Sequence, residues 1–80
     1  SAKVVGPKNF KATQYFRLYQ SVNSTYANGI SVYSGQKIYI SSVYLKKYSN
    51  SNYYDTFFHV RVNGKYVWMT QQQWRYIKSL

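Results

Sequence analysis

Asp55 and His59 are the whole acid–base inventory of this chain below the phenol range. Paired-carboxylate chemistry needs two acids. A zinc or calcium site needs more ligands than one Asp and one His can supply. There is no cysteine, so disulfides, Cys-type zinc sites and thiol nucleophiles are excluded. A general base needs an orienting partner and a nucleophile beside it, and His59 has no obvious acid partner beyond Asp55. His59 is therefore expected to be structural, and Asp55 a loop cap or an ion partner for a base. The expectation is a non-catalytic chain with no cofactor and no metal.

The remaining chemistry is cationic and aromatic. Lys and Arg number 11 against a single acid, which gives +10 on 80 residues. Bases in such excess cannot be neutralised within the chain, and each is solvated or available to an external anion. That is the electrostatic footprint of a polyanion binder. Nucleic acid, anionic lipid and teichoic acid all present phosphates along a chain or surface. Tyr occurs 11 times. A Tyr offers an apolar face and a hydroxyl at low entropic cost, which suits sugars and phosphates.

Three clusters combine the two ingredients. Lys46-Lys47-Tyr48 with Tyr53 and Tyr54 puts two bases at the end of a strand beside a tyrosine-rich loop. Phosphates would meet the ammonium groups as point charges, and sugar or alditol units would lie on the rings. The plain alternative is a solvated turn whose tyrosines pack a barrel rim. Arg61, Lys65 and Tyr66 flank a hairpin turn, and Trp68 either joins the basic and aromatic strip of Arg61, His59 and Phe57 or, as favoured, fills the core. Trp74 and Arg75 complete the ligand-binding set. Trp74 has two uses here, as a ligand platform or as a plug for the open end of a barrel.

The elements that position these residues are short. Residues 1–12 read as an arm or linker, with Gly6-Pro7 and few periodic apolar positions. Residues 13–80 read as one domain. Thr13 to Tyr19 is rich in β formers, and Ser21 to Gly29 is a loop. Ile30 to Tyr33 is a short strand, and Lys37 to Lys47 is the longest β run. Tyr48 to Thr56 is a polar aromatic loop. Phe57 to Val62 alternates, with Phe58, Val60 and Val62 on one face and Phe57, His59 and Arg61 on the other. Asn63-Gly64 predicts a type I′ hairpin turn, with Lys65 to Met69 as the return strand. Gln71 to Trp74 reads as one helical turn, and Tyr76 to Lys78 as a last strand. The expected core is Leu18, Ile30, Val32, Ile38, Ile40, Phe58, Val60, Val67, Met69 and Ile77. Nothing reads as a long amphipathic helix, and no apolar run reaches the roughly 18 residues of a membrane span. The fold class is all-β: a small barrel of short antiparallel strands with one helical turn.

From Phe16 onward the order of signals resembles bacterial Src-homology-3-like (SH3-like) domains. Leu18-Tyr19-Gln20-Ser21, then Ser24 and Gly29, is similar to the family's opening strand and serine-rich loop. Val32-Tyr33-Ser34-Gly35-Gln36-Lys37-Ile38 is similar to its turn-Gly-Gln-Lys-strand step. Phe58 to Met69 resembles its closing hairpin, with Val67 where a Gly before Trp is usual. The basic, Tyr-rich character and the ending Trp74-Arg75-Tyr76-Ile77-Lys78 also resemble wall-anchoring repeats of lactobacillal surface proteins. The resemblance implies an SH3-like β-barrel on a secreted Gram-positive protein, located in the bacterial cell wall or at the surface. Such modules hold an S-layer protein, adhesin or wall hydrolase to the envelope. Their partners are peptidoglycan or anionic wall polymers such as teichoic and lipoteichoic acid, alongside other domains or repeats of a parent protein.

The main rival is a nucleic-acid-binding small barrel, since basic grooves with interleaved aromatics bind single strands. Tyr dominates over Phe here, and the loops are rich in Ser and Asn, which favours the wall reading. Peptide-binding barrels attract basic, Pro-rich ligands through acidic loops, and one acid makes no such loop.

Overall fold

The computed structural model describes residues 8–80. Seven strands and one 3₁₀ turn follow in the order β1 Lys8–Ala12, β2 Phe16–Arg17, β3 Ser31–Val32, β4 Lys37–Lys47, β5 Tyr54–Val62, β6 Lys65–Thr70, the turn Gln72–Tyr76, and β7 Ile77–Ser79. Five of them form one sheet in the order β6-β5-β4-β1-β7, and β2 pairs with β3 as a separate ribbon. All described pairings are antiparallel. The all-β class and the single helical turn agree with the sequence. Closure into a barrel does not follow: the sheet is open, with β6 and β7 as its two edges.

One face of the sheet is apolar because the strands alternate. Phe10 and Ala12, Ile38 and Ile40, Phe58, Val60 and Val62, Val67 and Met69, and Ile77 all point inward. The ribbon adds Phe16 and Val32, and Leu18 follows it, so it covers this face. Nine of the ten expected core residues are buried, and Ile30 packs against them half-buried.

The N-terminal reading needs correction. Residues 8–12 are not an arm but a strand paired on both sides, with β4 and with β7. Phe10 and Ala12 are nearly inaccessible. The sequence hides this because only two of the five residues are apolar, and Lys8, Asn9 and Lys11 surround them. Residues 1–7 of the expected arm lie outside the described residues. Thr13 to Tyr19 is mostly irregular, with pairing confined to Phe16–Arg17 and a lone bridge from Tyr19 to Trp68.

Two local features set the geometry of the outer face. Asn63 and Gly64 have φ of 52° and 77°, as a type I′ turn requires. Within β4 the register with β5 slips by a residue between Ile40 and Ser42. Such a bulge bends the strand and increases its twist. Beyond it, Ser42, Tyr44 and Lys46 share the outer face with His59, Phe57 and Asp55.

Candidate functional site: the outer face of the sheet

Antiparallel register builds the outer face in rows. Tyr39 pairs with Arg61, and Arg61 with Tyr66. Ser42 pairs with His59, and His59 with Trp68. Tyr44 pairs with Phe57, and Lys46 with Asp55. Residues opposite one another in such a ladder have Cβ atoms about 5 Å apart, close enough for rings to pack.

They do pack. The His59 ring stacks on Trp68 at 4.4 Å and 26°. It also lies 4.9 Å from the Tyr66 ring. Tyr44 meets the edge of Trp68 at 5.9 Å. The Arg61 guanidinium sits 5.3 Å from the Tyr39 ring, within cation–π range. Trp68 is thus half-buried on the outer face, beside Arg61 and His59, and not in the core as favoured. Its own N–H and C=O are tied to Tyr19 at 2.8 Å each, which brings the segment after Leu18 alongside the edge strand.

The loop after Tyr19 is fixed internally. Ser21 N–H donates to Ser24 Oγ, Asn23 N–H to Ser21 Oγ, and Gln20 N–H to Asn28 Oδ1. Arg17 donates through Nε and Nη2 to the Gly29 carbonyl, at 3.2 and 2.8 Å. Lys46 Nζ donates to the Val22 carbonyl at 3.2 Å. The loop is therefore pinned to β4 beside the tyrosine cluster.

That cluster is the corner made by the ends of β4 and β5. Lys46 Nζ lies 5.2 Å from the Tyr48 ring. Tyr48 stacks on Tyr53 at 5.9 Å and 28°, and its hydroxyl donates to Asp55 Oδ2. Asp55 raises the pKa of both phenols above the usual 10.0. Hydrogen bonding to its carboxylate is the larger cause, and its negative charge adds to it. Behind the corner a cleft of about 140 Å³ is lined by Tyr53, Tyr54, Asp55, Phe57, Thr70 and Gln71.

Among the sequence-selected residues, Lys46, Tyr48 and Tyr53 come together as expected, and Arg61 and Tyr66 lie on the same outer face. Lys47 does not join them, and Tyr54 adjoins them only along the cleft behind the corner. Successive residues of a strand point to opposite faces, so Lys47 opposes Tyr54 in register on the far side. Lys65 shares parity with the buried Val67 and Met69, opposite to Tyr66. Trp74 is part of the packing: it meets Phe10 at 5.2 Å and Phe58 at 4.9 Å. It packs against the core, half-buried, at the edge of the apolar cluster. Arg75 is exposed on the 3₁₀ turn and is not placed with the other bases by any contact.

His59, Tyr39 and Tyr44 are site residues that the sequence reading missed. The alternation of Phe57, His59 and Arg61 was available. Their cross-strand partners depend on the bulge in β4, which has no sequence signature here. Among the described residues no group of three metal-ligating side chains occurs, and no helix is long and apolar enough to cross a membrane. Comparison with protein-family models, with curated proteins and with solved structures finds no match to this chain.

Proposed function

We propose that this chain is a non-catalytic binding module of the SH3-like barrel type. It attaches a secreted Gram-positive surface protein or wall hydrolase to the envelope through an anionic wall polymer. The observation that carries the reading is the outer face itself: a pinned corner of Lys46, Tyr48 and Tyr53 leads into a row of His59, Trp68, Tyr66 and Arg61. Cations there meet phosphates, and exposed ring faces meet alditol or sugar units. The charge of +10 with one acid favours a polyanion over a neutral ligand.

Three features support the SH3-like assignment. The long β4 carries a bulge midway and pairs with β1 at one end and with β5 along its length. A single 3₁₀ turn joins β6 to β7. The ribbon β2-β3, between β1 and β4 in the chain, adds Phe16, Leu18 and Val32 to the apolar face.

The test is co-sedimentation of the domain with purified Gram-positive walls, before and after teichoic-acid extraction, with single-stranded nucleic acid as competitor. Loss of binding on extraction, with displacement by nucleic acid only at high excess, is the expected result. Binding that survives extraction assigns the ligand to peptidoglycan or a neutral wall polysaccharide. Tight nucleic-acid binding without wall binding replaces the proposal with a nucleic-acid barrel.

A further inference from the structure

Three lysines stand side by side at the other end of the sheet. Lys11 of β1 pairs in register with Lys37 of β4 on one side and with Lys78 of β7 on the other. All three belong to the outer face. Their chain neighbours Phe10, Ala12, Ile38 and Ile77 are buried on the opposite one. Adjacent strands lie about 4.8 Å apart, so three ammonium stems arise within about 10 Å. Like charges directly opposite one another destabilise a sheet.

The chain does nothing to relieve this repulsion with an Asp or Glu side chain. The only one, Asp55, is bonded to the Tyr48 hydroxyl and opposes Lys46. Lys46 and Lys37 are nine residues apart along β4, which is about 30 Å of strand.

Beside the row a groove of about 230 Å³ is lined by Asn9, Gln36, Lys37, Tyr39, Arg61 and Asn63. Arg61 is held over Tyr39 on its floor. The Gln36 amide oxygen accepts from Tyr33 N–H at 3.1 Å, which leaves its NH₂ to donate. The groove thus adds a guanidinium and amide donors to the lysine row.

We infer that Lys37, Lys11 and Lys78 form a second anion site, adjoining the first at Arg61, that takes a linear chain of phosphate groups. One phosphate would neutralise only part of the row, whereas consecutive phosphates match successive ammonium groups. The natural ligand rests on the wall-polymer reading, but the site itself does not. With the Lys46 corner it gives one domain two anion-binding poles, so a single long polymer could be held at both.

The experiment is thermal unfolding with inorganic tripolyphosphate as the probe, against sodium chloride at matched ionic strength. For the wild type the expected result is a Tm rise of about 8 °C at roughly ten times Kd, beyond the salt control. The variant K11Q/K37Q/K78Q should lose most of that rise. Without ligand at low salt it should melt at or above the wild type, because repulsion is removed. Lys47→Gln, on the opposite face of the sheet, should keep the rise. Lys78→Gln alone, exposed on an edge strand, should lose part of it and guards against misfolding of the triple variant. A wild-type rise no larger than the salt control, or an undiminished rise in K78Q and the triple variant, overturns the site. Failure of wall binding with these results intact would overturn the wall assignment alone.

Discussion

His59 and Trp68 face each other in register across β5 and β6, with their rings stacked 4.4 Å apart. That contact places the tryptophan on the outer face and makes it the centre of the aromatic row. Trp74 plays the opposite part, between Phe10 and Phe58 against the core.

The two tryptophans should therefore respond differently to truncation. Trp74→Ala is expected to cost about 3 kcal/mol through lost packing. Trp68→Ala should cost nearer 1 kcal/mol, the scale of an aromatic pair at a half-exposed site. It should weaken polymer binding roughly tenfold, on the scale of a lost stacking contact. Urea denaturation and a binding titration on the same variants check both halves.

Asp55→Asn should lower the titration of Tyr48 and Tyr53 toward the ordinary phenol value. The sign follows from the raised pKa of each phenol, 10.0 being the usual value. The neutral phenol is favoured in the folded protein. Its contribution to stability is complete below pH 10 and is lost as pH rises through the raised folded value. Phenolate absorbance against pH, in both proteins, reads the shift.

Lys46 and Lys47 should separate in a charge-reversal test although they are neighbours in sequence. Lys46→Glu removes a cation from the Tyr48 corner and breaks the tether to Val22. It is expected to weaken polymer binding about tenfold or more, since each phosphate contact carries a large salt-dependent share of affinity. Lys47→Glu, on the other face, should change binding less than threefold, as a general effect of lowered net charge. Titration of each variant at two salt concentrations distinguishes them.

Gly29→Ala should destabilise more than Gly64→Ala. A Cβ on Gly29 would stand 2.8 Å from the Leu18 carbonyl oxygen, and that oxygen already accepts the Gly29 N–H. Backbone would have to shift, at a cost of about 1–3 kcal/mol. At Gly64 there is open space, and the cost is that of a positive φ, about 1 kcal/mol. Chemical denaturation of both variants gives the order.

Strand identity was largely legible in the sequence, because β5 and β6 carry clean alternation and Asn63-Gly64 fixes their hairpin, although β5 begins at Tyr54, within the expected loop Tyr48 to Thr56. Strand β1 was not, since Lys8, Asn9 and Lys11 dilute its apolar period and it relies on β4 and β7 for definition. The lysine row disappeared with it, because three lysines at positions 11, 37 and 78 become neighbours only once that strand is placed. At the tyrosine corner, proximity in sequence was a good guide for Lys46, Tyr48 and Tyr53. It misled for Lys47 and Tyr54, where strand parity turns adjacent residues to opposite faces. Trp68 was misplaced for a related reason: the periodicity shows that a residue is apolar and alternating, while the partner across the strand, here His59, decides which environment it meets.

The most direct test of polymer recognition by the outer face is an NMR titration of the isotopically labelled protein with purified poly(glycerol phosphate), at low and at physiological salt. The account predicts shifts concentrated at Lys46, Tyr48, Tyr53, Arg61 and the Trp68 indole, with affinity that falls as salt rises. Unperturbed signals on this face, or binding that ignores salt, would contradict it.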